Sequence, residues 1–343
     1  MNGVALKDRV VEYLGRFLRT PFSSLLVRAF FRRPVFIITT NPGAYLGNQL
    51  TIFAHVIACA RETGREIWGP SFFVYAKHFE HTSRDCFTRF PERTSLCRGQ
   101  WMRVFLYYYV FARLVRVLVL RPLPPVKDVA VITDYDGKQS LESSAFLSQI
   151  REKRLALIEG YFFRCSMEKL KKHSGVIKEY LRPLRRHEVN ASAVVGQARG
   201  RGEVLVGVHL RQFGTAGDEN PHHLYRFENA ERMNGALRQT VGCFPGKKVT
   251  FLLFSNMNID ISRYSEFSTG KGTGHIAEDL HALSLCDYIL ASTYSTYSRW
   301  ASFYGSVPLY QLDAPGSVFS LRDFQVQIPG FYDPSDEASP IQV

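Results

Sequence analysis

The chain has 343 residues, which is more than one hydrophobic core usually serves, so we expect two domains. Its 45% hydrophobic and 22% charged residues are ordinary for a folded protein and exclude a largely disordered chain. The formal net charge of +12 favours anionic partners, either nucleotides, nucleic acid or an acidic membrane surface, and by itself does not choose among them.

The first 34 residues predict a helical extension. Apolar residues recur at roughly helical spacing among basic residues between positions 4 and 31, and Pro34 closes the segment. Charges interrupt the apolar positions, unlike the core of a signal peptide, which predicts a cytoplasmic protein. The six cysteines form no Cys-x-x-Cys pair, so scattered core thiols are favoured over a zinc or redox site.

Residues 35–190 predict a first Rossmann-like α/β domain. The β-branched run at 35–40, the glycine-rich turn at 41–49 and a helix that ends at Gly64 make one strand–turn–helix unit. Residues 66–73 and 129–134 predict further strands, whereas 80–100 carry no clear pattern.

Residues 101–125 are the most apolar stretch, although charges make it too short to span a bilayer. On a helical wheel its arginines, Arg103, Arg113, Arg116 and Arg121, fall within about 140°, opposite aromatic and aliphatic residues. Two interpretations stay open: a core-packed helix with snorkelling arginines, or a helix that contacts an anionic membrane through residues 101–121.

Residues 203–312 predict a second parallel α/β domain, in which four strands alternate with three helices. The strands are predicted at 204–210, 248–256, 287–292 and 307–312, and the helices at 228–241, 276–286 and 295–305. The small residues and glycines from 191 to 202 indicate the domain boundary, and residues 313–343 are predicted to be a tail.

Chemistry-bearing residues follow the strands of this second domain, where open parallel sheets bind ligands. His209 and Arg211 come directly after a buried strand, and the alternation of an extended chain places both side chains on the same side. A forked guanidinium at this position suits two phosphate oxygens. Ser295 and Thr296 stand where a strand turns into a helix, whose N-terminus favours anions. For both pairs the alternative is structural: satisfied strand-end side chains, and helix caps without a ligand.

Two further groups could complete a nucleotide site. The carboxylate of Asp279, or its neighbour Glu278, could accept the N1–H and 2-amino groups of guanine; otherwise both lie on a solvated helix face. Gly43, Gly47 and Asn48 form a glycine turn that lets backbone approach a phosphate, although the turn matches neither the Walker sequence nor Gly-x-Gly-x-x-Gly.

Together these motifs resemble those of the α1,2-, α1,6- and protein-O-fucosyltransferase superfamily. PGAYLGNQL resembles the family's GxxGNQ segment, VGVHLRQ its His-x-Arg-Arg strand end, and LLFSN its Phe-Ser-Asn segment. EDLHALSLCDYILASTYSTYSRWASFYG closely resembles its closing motif. The resemblance implies a GT-B-like α/β fold, with two Rossmann-like parallel-sheet domains that face each other across a cleft.

The resemblance also implies a function and roles for residues. GDP-fucose would be the donor substrate, held by the C-terminal domain, and we expect no cofactor. Arg211 would hold the diphosphate, His209 would contact the nucleotide, and Asp279 would recognise guanine. Ser295 and Thr296 would bind the β-phosphate, while Gly47 and Asn48 belong to the glycine motif.

Departures from the family pattern affect catalysis. Gln212 stands where the family has its second arginine, and the nearest carboxylates that could serve as a base are Asp218 and Glu219. Glu219 has the spacing at which one branch of the family places its base. The isolated Asp134-Tyr135-Asp136 has the form of a metal-binding motif, but it is a weak signal and metal independence is expected.

Three other classes stay open: an enzyme that uses another nucleotide sugar, a non-catalytic relative, and a basic nucleic-acid-binding module. The last is disfavoured because no recognition motif accompanies the dispersed basic residues, so we expect no nucleic-acid partner. A glycan or lipid-linked glycan is the expected acceptor, in polysaccharide assembly at the inner face of a membrane.

Overall fold

A computed structural model describes residues 28–29, 31–39, 44–94, 99–111, 128–134, 140–160, 162–210, 230–292, 295–312 and 318–330. It divides into two compact units between Arg182 and Pro183. Most of the predicted N-terminal extension lies outside the described residues. The unit boundary comes before the glycine-rich stretch at 191–202 that suggested it, because residues 185–199 form a helix that packs in the second unit.

The described strands of the first unit form one mixed sheet. They are β1 (Val35–Ile38), β2 (Glu66–Trp68), β3 (Arg89–Phe90), β4 (Val129–Asp134) and β5 (Leu155–Gly160). The order is β3-β2-β1-β5-β4, and all neighbours run parallel except the β2–β3 pair. The predicted parallel α/β architecture of this domain is confirmed.

Helices flank this sheet. They are α1 (Leu46–Thr63), α2 (Glu80–Ser83), α3 (Gln100–Phe105), α4 (Ser144–Ile150), α5 (Met167–Lys172) and α6 (Ser174–Tyr180). Helix α1 ends as predicted at Gly64, which takes the left-handed conformation (φ 65°) that glycine allows without strain. The strand predicted over 66–73 ends at Trp68, because Pro70–Val74 form a 3₁₀ turn.

Within the stretch at 80–100, which carried no sequence pattern, one buried carboxylate organises residues 85–89. Asp85 accepts hydrogen bonds from the backbone amides of Phe87 and Arg89, and also from the Arg89 guanidinium at 3.0 Å. This local network holds the chain in the turn that leads into β3, where apolar periodicity gives no signal.

The second unit has a six-stranded sheet among its described residues. Its strands are β6 (Val204–Leu210), β7 (Val249–Ser255), β8 (Ser268–Lys271), β9 (Tyr288–Ser292), β10 (Pro308–Leu312) and β11 (Gln325–Val326). The order is β11-β10-β9-β6-β7-β8, parallel throughout except for β11. The four predicted strands are confirmed; β8 and β11 were not predicted. Strand β11 adds part of the predicted tail to the sheet.

The helices of this unit are α7 (Arg185–Arg199), α8 (Ala230–Gly242), α9 (Ile276–Leu283) and α10 (Thr296–Gly305). Helix α9 lies close against the central strand β6. A Cβ on Gly207 would come within 2.6 Å of Leu283 Cδ1 and 2.9 Å of Cys286 Sγ, so glycine is required for this approach. The contact fixes α9, which carries Asp279, over the strand that carries His209 near its end.

Four of the cysteines predicted to be core thiols, Cys59, Cys86, Cys165 and Cys286, are buried, whereas Cys243 is half-buried and Cys97 lies outside the described residues. Across the part of the chain that the structure describes, no helix is both long and apolar enough to cross a bilayer.

Candidate functional site

His209 lies at the carboxyl end of the central strand β6, as the sequence predicted. The strand is buried along its whole length, and His209 pairs in register with Phe254 of β7 and Ala291 of β9. Its side chain is buried. The histidine therefore stands in the middle of the sheet edge at which parallel α/β units bind ligands.

The first turn of α10 fixes the imidazole of His209. Nδ1 lies 2.7 Å from Ser298 Oγ and 3.1 Å from Ser295 Oγ. Ser295 is also the N-cap of α10, because its hydroxyl accepts the Ser298 backbone amide at 3.2 Å. The structure thus brings together three residues named in the sequence prediction, His209, Ser295 and Thr296. Ser295 also caps the helix, which was the structural alternative to binding a phosphate.

Tyr297 connects this helix end to α9, a role that the sequence did not reveal. Its ring lies 4.9 Å from the His209 ring, and its hydroxyl donates to the Ile276 carbonyl at 2.7 Å. Burial, and then the nearby Asp279 carboxylate, raise the pKa of Tyr297 well above 10, so the phenol keeps its proton. His209, the start of α10 and the start of α9 therefore form one connected neighbourhood.

Asp279 holds the loop between β8 and α9. Its Oδ1 accepts from the Thr273 amide at 2.7 Å and the Thr273 hydroxyl at 3.0 Å, and its Oδ2 accepts from the Gly274 amide at 3.1 Å. Burial raises the pKa of Asp279 and outweighs these hydrogen bonds, which act to lower it. A carboxylate has about four acceptor positions, so this conformation leaves about one for a ligand, not the two that the guanine pairing requires.

A cavity of about 260 Å³ opens beside Asp279. Its walls come from the end of β7, the segment after it, and the β8–α9 loop. Ser255 lines it and pairs with Leu210, the residue that follows His209. The cavity is smaller than the roughly 300–1,000 Å³ of a complete small-molecule site. It can take a heterocyclic base rather than a whole nucleotide.

Glu278, the neighbouring carboxylate, faces a different structure. It accepts hydrogen bonds from Asn190 Nδ2 at 2.9 Å and lies 3.0 Å from His187 Nδ1, both on α7. Burial acts to raise the pKa of Glu278, but the hydrogen bonds from His187 and Asn190 outweigh it and lower the pKa. The two adjacent carboxylates therefore separate: Glu278 ties α9 to α7, and Asp279 faces the cavity.

The first unit carries the glycine motif. Gly47 and Asn48 lie in the first turn of α1, as predicted, with Gly47 buried; Gly43 lies outside the described residues. Asp134, the first residue of the weak Asp-x-Asp match, is buried at the end of β4. Its companions Tyr135 and Asp136 lie outside the described residues.

The residues with predicted catalytic roles, Arg211, Asp218 and Glu219, lie outside the described residues, as do Gln212 and Thr293. Their assignments stay predictions from the sequence. In the sequence Arg211 follows Leu210, the last residue of β6.

Comparison with known proteins identifies the fold. No protein-family model matches the chain, and no curated protein matches it in sequence. By structure, the chain is similar to a mutant of Arabidopsis thaliana FUT1 in complex with GDP, with a TM-score of 0.56 and 12% identity, over 96% of this chain and 83% of that one. It is also similar to NodZ alpha-1,6-fucosyltransferase co-crystallized with GDP, with a TM-score of 0.52 and 15% identity, over 84% of this chain and 98% of that one. A Se-Met NodZ structure from Bradyrhizobium gives the same values.

These likenesses cover both units of the chain. The fold that the motif resemblance implied, two α/β units of the fucosyltransferase type, is therefore confirmed.

Proposed function

We propose that this chain is a glycosyltransferase that transfers fucose from GDP-fucose to a hydroxyl group of a glycan, with an α1,2-fucosyltransferase-like linkage. The observation that carries the proposal is the fixed His209 imidazole at the start of α10, on a strand paired with β7, whose end lines a base-sized cavity. Two of the solved structures of similar fold, the FUT1 mutant and NodZ, contain GDP, which supports the same nucleotide here.

The described residues suggest how the donor is bound. The guanine base enters the cavity and bonds to the remaining acceptor position of Asp279. The diphosphate lies at the α10 end, where the positive end of the helix dipole favours an anion. Leu210, which follows His209, is paired with Ser255, which lines the cavity. The base and the diphosphate therefore lie along the same edge of the sheet.

The reaction places its greatest demand on the leaving group. An acceptor hydroxyl attacks C1 of fucose opposite GDP and inverts that centre, while negative charge grows on the departing diphosphate. Arg211 and the α10 end stabilise this charge by preorganised electrostatics, the effect that oxyanion sites use. Glu219 or Asp218 takes the acceptor proton. His209, whose Nδ1 is occupied by two serine hydroxyls, positions the nucleotide.

No metal ion enters this scheme, because arginine and a helix end supply the positive charge that a divalent ion would otherwise give. GDP-fucose is a substrate, and the proposal includes no resident cofactor. The acceptor is a glycan or lipid-linked glycan of polysaccharide biosynthesis, bound by the first unit.

Two measurements test the proposal. In the first, thermal unfolding is followed with GDP, UDP, ADP and GDP-fucose, since a ligand that binds only the folded form raises its stability. GDP and GDP-fucose should raise the Tm more than UDP or ADP does. In the second, labelled GDP-fucose is incubated with the enzyme and release of fucose to water or to a glycan library is measured.

Variants separate binding from turnover. Arg211→Ala should lower turnover by roughly a hundredfold or more, as removal of one transition-state donor does in other enzymes. Arg322→Ala, at an exposed position of the second unit, is the control and should leave turnover unchanged. Stabilisation by UDP or ADP instead of GDP would favour another nucleotide sugar. GDP binding without any fucose release would identify a non-catalytic relative, and salt-dependent RNA or DNA binding without a GDP effect would refute the enzyme proposal.

A further inference from the structure

The helical segment at 100–111 presents four aromatic side chains to solvent. Helix α3 continues from Phe105 as a π-helical turn over Leu106–Phe111. Trp101, Phe105, Tyr108 and Tyr109 are exposed, Trp101 by 66%, and we call these four residues the aromatic stripe. Their spacing of i, i+4, i+7 and i+8 places them along one side of the helix. The Phe105 and Tyr109 rings stack at 5.0 Å.

The opposite side of the segment fixes this orientation. Arg103, Tyr107 and Phe111 are buried. The Arg103 guanidinium donates to the carbonyls of Thr82, at 3.2 Å, and Ser83, so this arginine does not snorkel to solvent as the core-packed interpretation implied. Tyr107 packs on Phe73 with ring centroids 5.3 Å apart. Buried hydrogen bonds to a charged group are costly to break, so the aromatic stripe cannot simply turn inward.

We propose that the aromatic stripe is a docking surface for an anionic lipid bilayer. Tryptophan and tyrosine prefer the membrane–water interface, where the ring meets the acyl boundary and the polar edge stays hydrated. The sequence continues from the stripe with Arg113, Arg116 and Arg121, and the chain carries a formal net charge of +12. Exposed aromatics on a chain of net positive charge are complementary to an apolar surface that bears negative headgroups.

The segment lies on the bilayer and does not cross it. The longest uncharged run, residues 104–112, is far below the roughly 20 residues that a spanning helix requires. A surface helix of this kind inserts only its apolar side to the depth of the headgroups. The inference does not depend on the nucleotide site, which lies in the other unit.

The placement of the three tryptophans gives a specific readout. Trp68 and Trp300 are buried, whereas Trp101 is in the aromatic stripe. Quenching of intrinsic fluorescence by acrylamide therefore reports mainly on Trp101. We expect vesicles of phosphatidylcholine with phosphatidylglycerol to protect Trp101 from quenching and to shift its emission to the blue. Vesicles of phosphatidylcholine alone should protect it less.

Cosedimentation with the same vesicles measures affinity. The triple variant Trp101→Ser, Phe105→Ser, Tyr109→Ser should bind the anionic vesicles at least tenfold more weakly than wild type does. The double variant Val189→Ser, Val318→Ser also removes exposed apolar side chains, but from the second unit, and should bind as wild type does. Thermal unfolding of each variant shows that it is folded, which is expected because every substituted side chain is exposed.

Three results would overturn the proposal. The first is that anionic vesicles leave quenching of Trp101 unchanged. The second is a dimer of wild type that the triple variant abolishes, with no vesicle binding, which would assign the aromatic stripe to a second copy of the chain. The third is increased quenching of Trp101 on deletion of residues 1–27, again with no vesicle binding, which would assign it to the N-terminal segment.

Discussion

Asp279→Asn is the sharpest test of the proposed base site, because the structure specifies what the carboxylate already does. It accepts three hydrogen bonds from Thr273 and Gly274 and lines the cavity. Asparagine keeps one acceptor oxygen but places an NH₂ group where the Gly274 amide needs an acceptor. The substitution therefore loosens the loop and also removes the negative charge that a guanine donor would meet.

Thr273→Val provides the matched control for the loop. Valine removes the hydroxyl that donates to Asp279 at 3.0 Å and accepts from the His275 amide at 3.1 Å, while the carboxylate stays. Losing these bonds should destabilise the loop by about 1–3 kcal/mol. This effect should weaken GDP and ADP binding by the same factor, because the loop change does not distinguish the two bases.

The two variants should differ in base preference. A hydrogen bond to an ionised group contributes about 1.5–3 kcal/mol, which is about 10- to 150-fold in Kd, and adenine has no N1–H to donate. Titration calorimetry of wild type should therefore show GDP binding at least about tenfold tighter than ADP binding. Asp279→Asn should reduce this ratio by about tenfold, whereas Thr273→Val should preserve it.

The pH dependence gives an independent check on the same carboxylate. Burial raises the pKa of Asp279 above the ordinary 3.8, so acidification protonates it earlier than it would an exposed aspartate. The GDP preference should fall as the pH drops through that raised value, and Asp279→Asn should show no such dependence. If Asp279→Asn and wild type discriminate GDP from ADP equally, the carboxylate only holds the loop and the base lies elsewhere.

Further predictions concern the His209 contact, acid stability and packing. Ser298→Ala removes a hydroxyl 2.7 Å from His209 and should weaken GDP binding by about 2- to 12-fold in calorimetry; an unchanged Kd would show that the imidazole needs no such support. Glu62 is paired with Lys172 and His173, and the bonds from these two lower its pKa to about 2. The contribution of Glu62 to stability is therefore complete above its ordinary pKa of 4.5 and is lost as the pH falls through about 2. Urea denaturation across this pH range should show the loss in wild type and not in Glu62→Gln. Gly207→Ala should lower the free energy of unfolding by about 1–3 kcal/mol in the same assay. Combining it with Leu283→Ala should cost less than the sum of the two single effects, because the smaller side chain makes room for the new Cβ. Strict additivity would contradict the close approach of α9 to β6.

The sequence predicted the central elements of the second unit because each carries a strong local signal. Val204–Val208 is apolar apart from Gly207 and is long enough for a doubly buried strand, and Thr296–Gly305 follows a serine that caps it. The edge strand β8 has the sequence Ser-Thr-Gly-Lys, which has neither an apolar run nor alternation, and β11 has two residues. Their pairing depends on neighbouring strands, so local propensity could not reveal it.

Arg103 shows a second limit of sequence patterns. The helical wheel placed it with Arg113, Arg116 and Arg121 on one side, but the structure buries it against the carbonyls of Thr82 and Ser83. Those acceptors come from a segment without any periodic pattern, so the rotation of the helix was decided by a tertiary contact. Four aromatic residues of the segment, Trp101, Phe105, Tyr108 and Tyr109, therefore face outward, whereas Tyr107 and Phe111 are buried.

The motif also could not show what the site residues do without a ligand. The Ser295 hydroxyl has one hydrogen and already lies within hydrogen-bond distance of His209 Nδ1 and Ser298. Both Ser298 groups donate to Ser295, so a phosphate oxygen competes only with His209 Nδ1 for that hydrogen, and the net benefit of the hydroxyl is small. The positive end of the α10 dipole attracts a phosphate whether or not the serine hydroxyl is engaged. We therefore expect Ser295→Ala to lower stability through loss of the cap by about 1 kcal/mol, while Arg211→Ala lowers turnover in a folded protein. A large loss of GDP affinity in a stable Ser295→Ala protein would reverse this ranking.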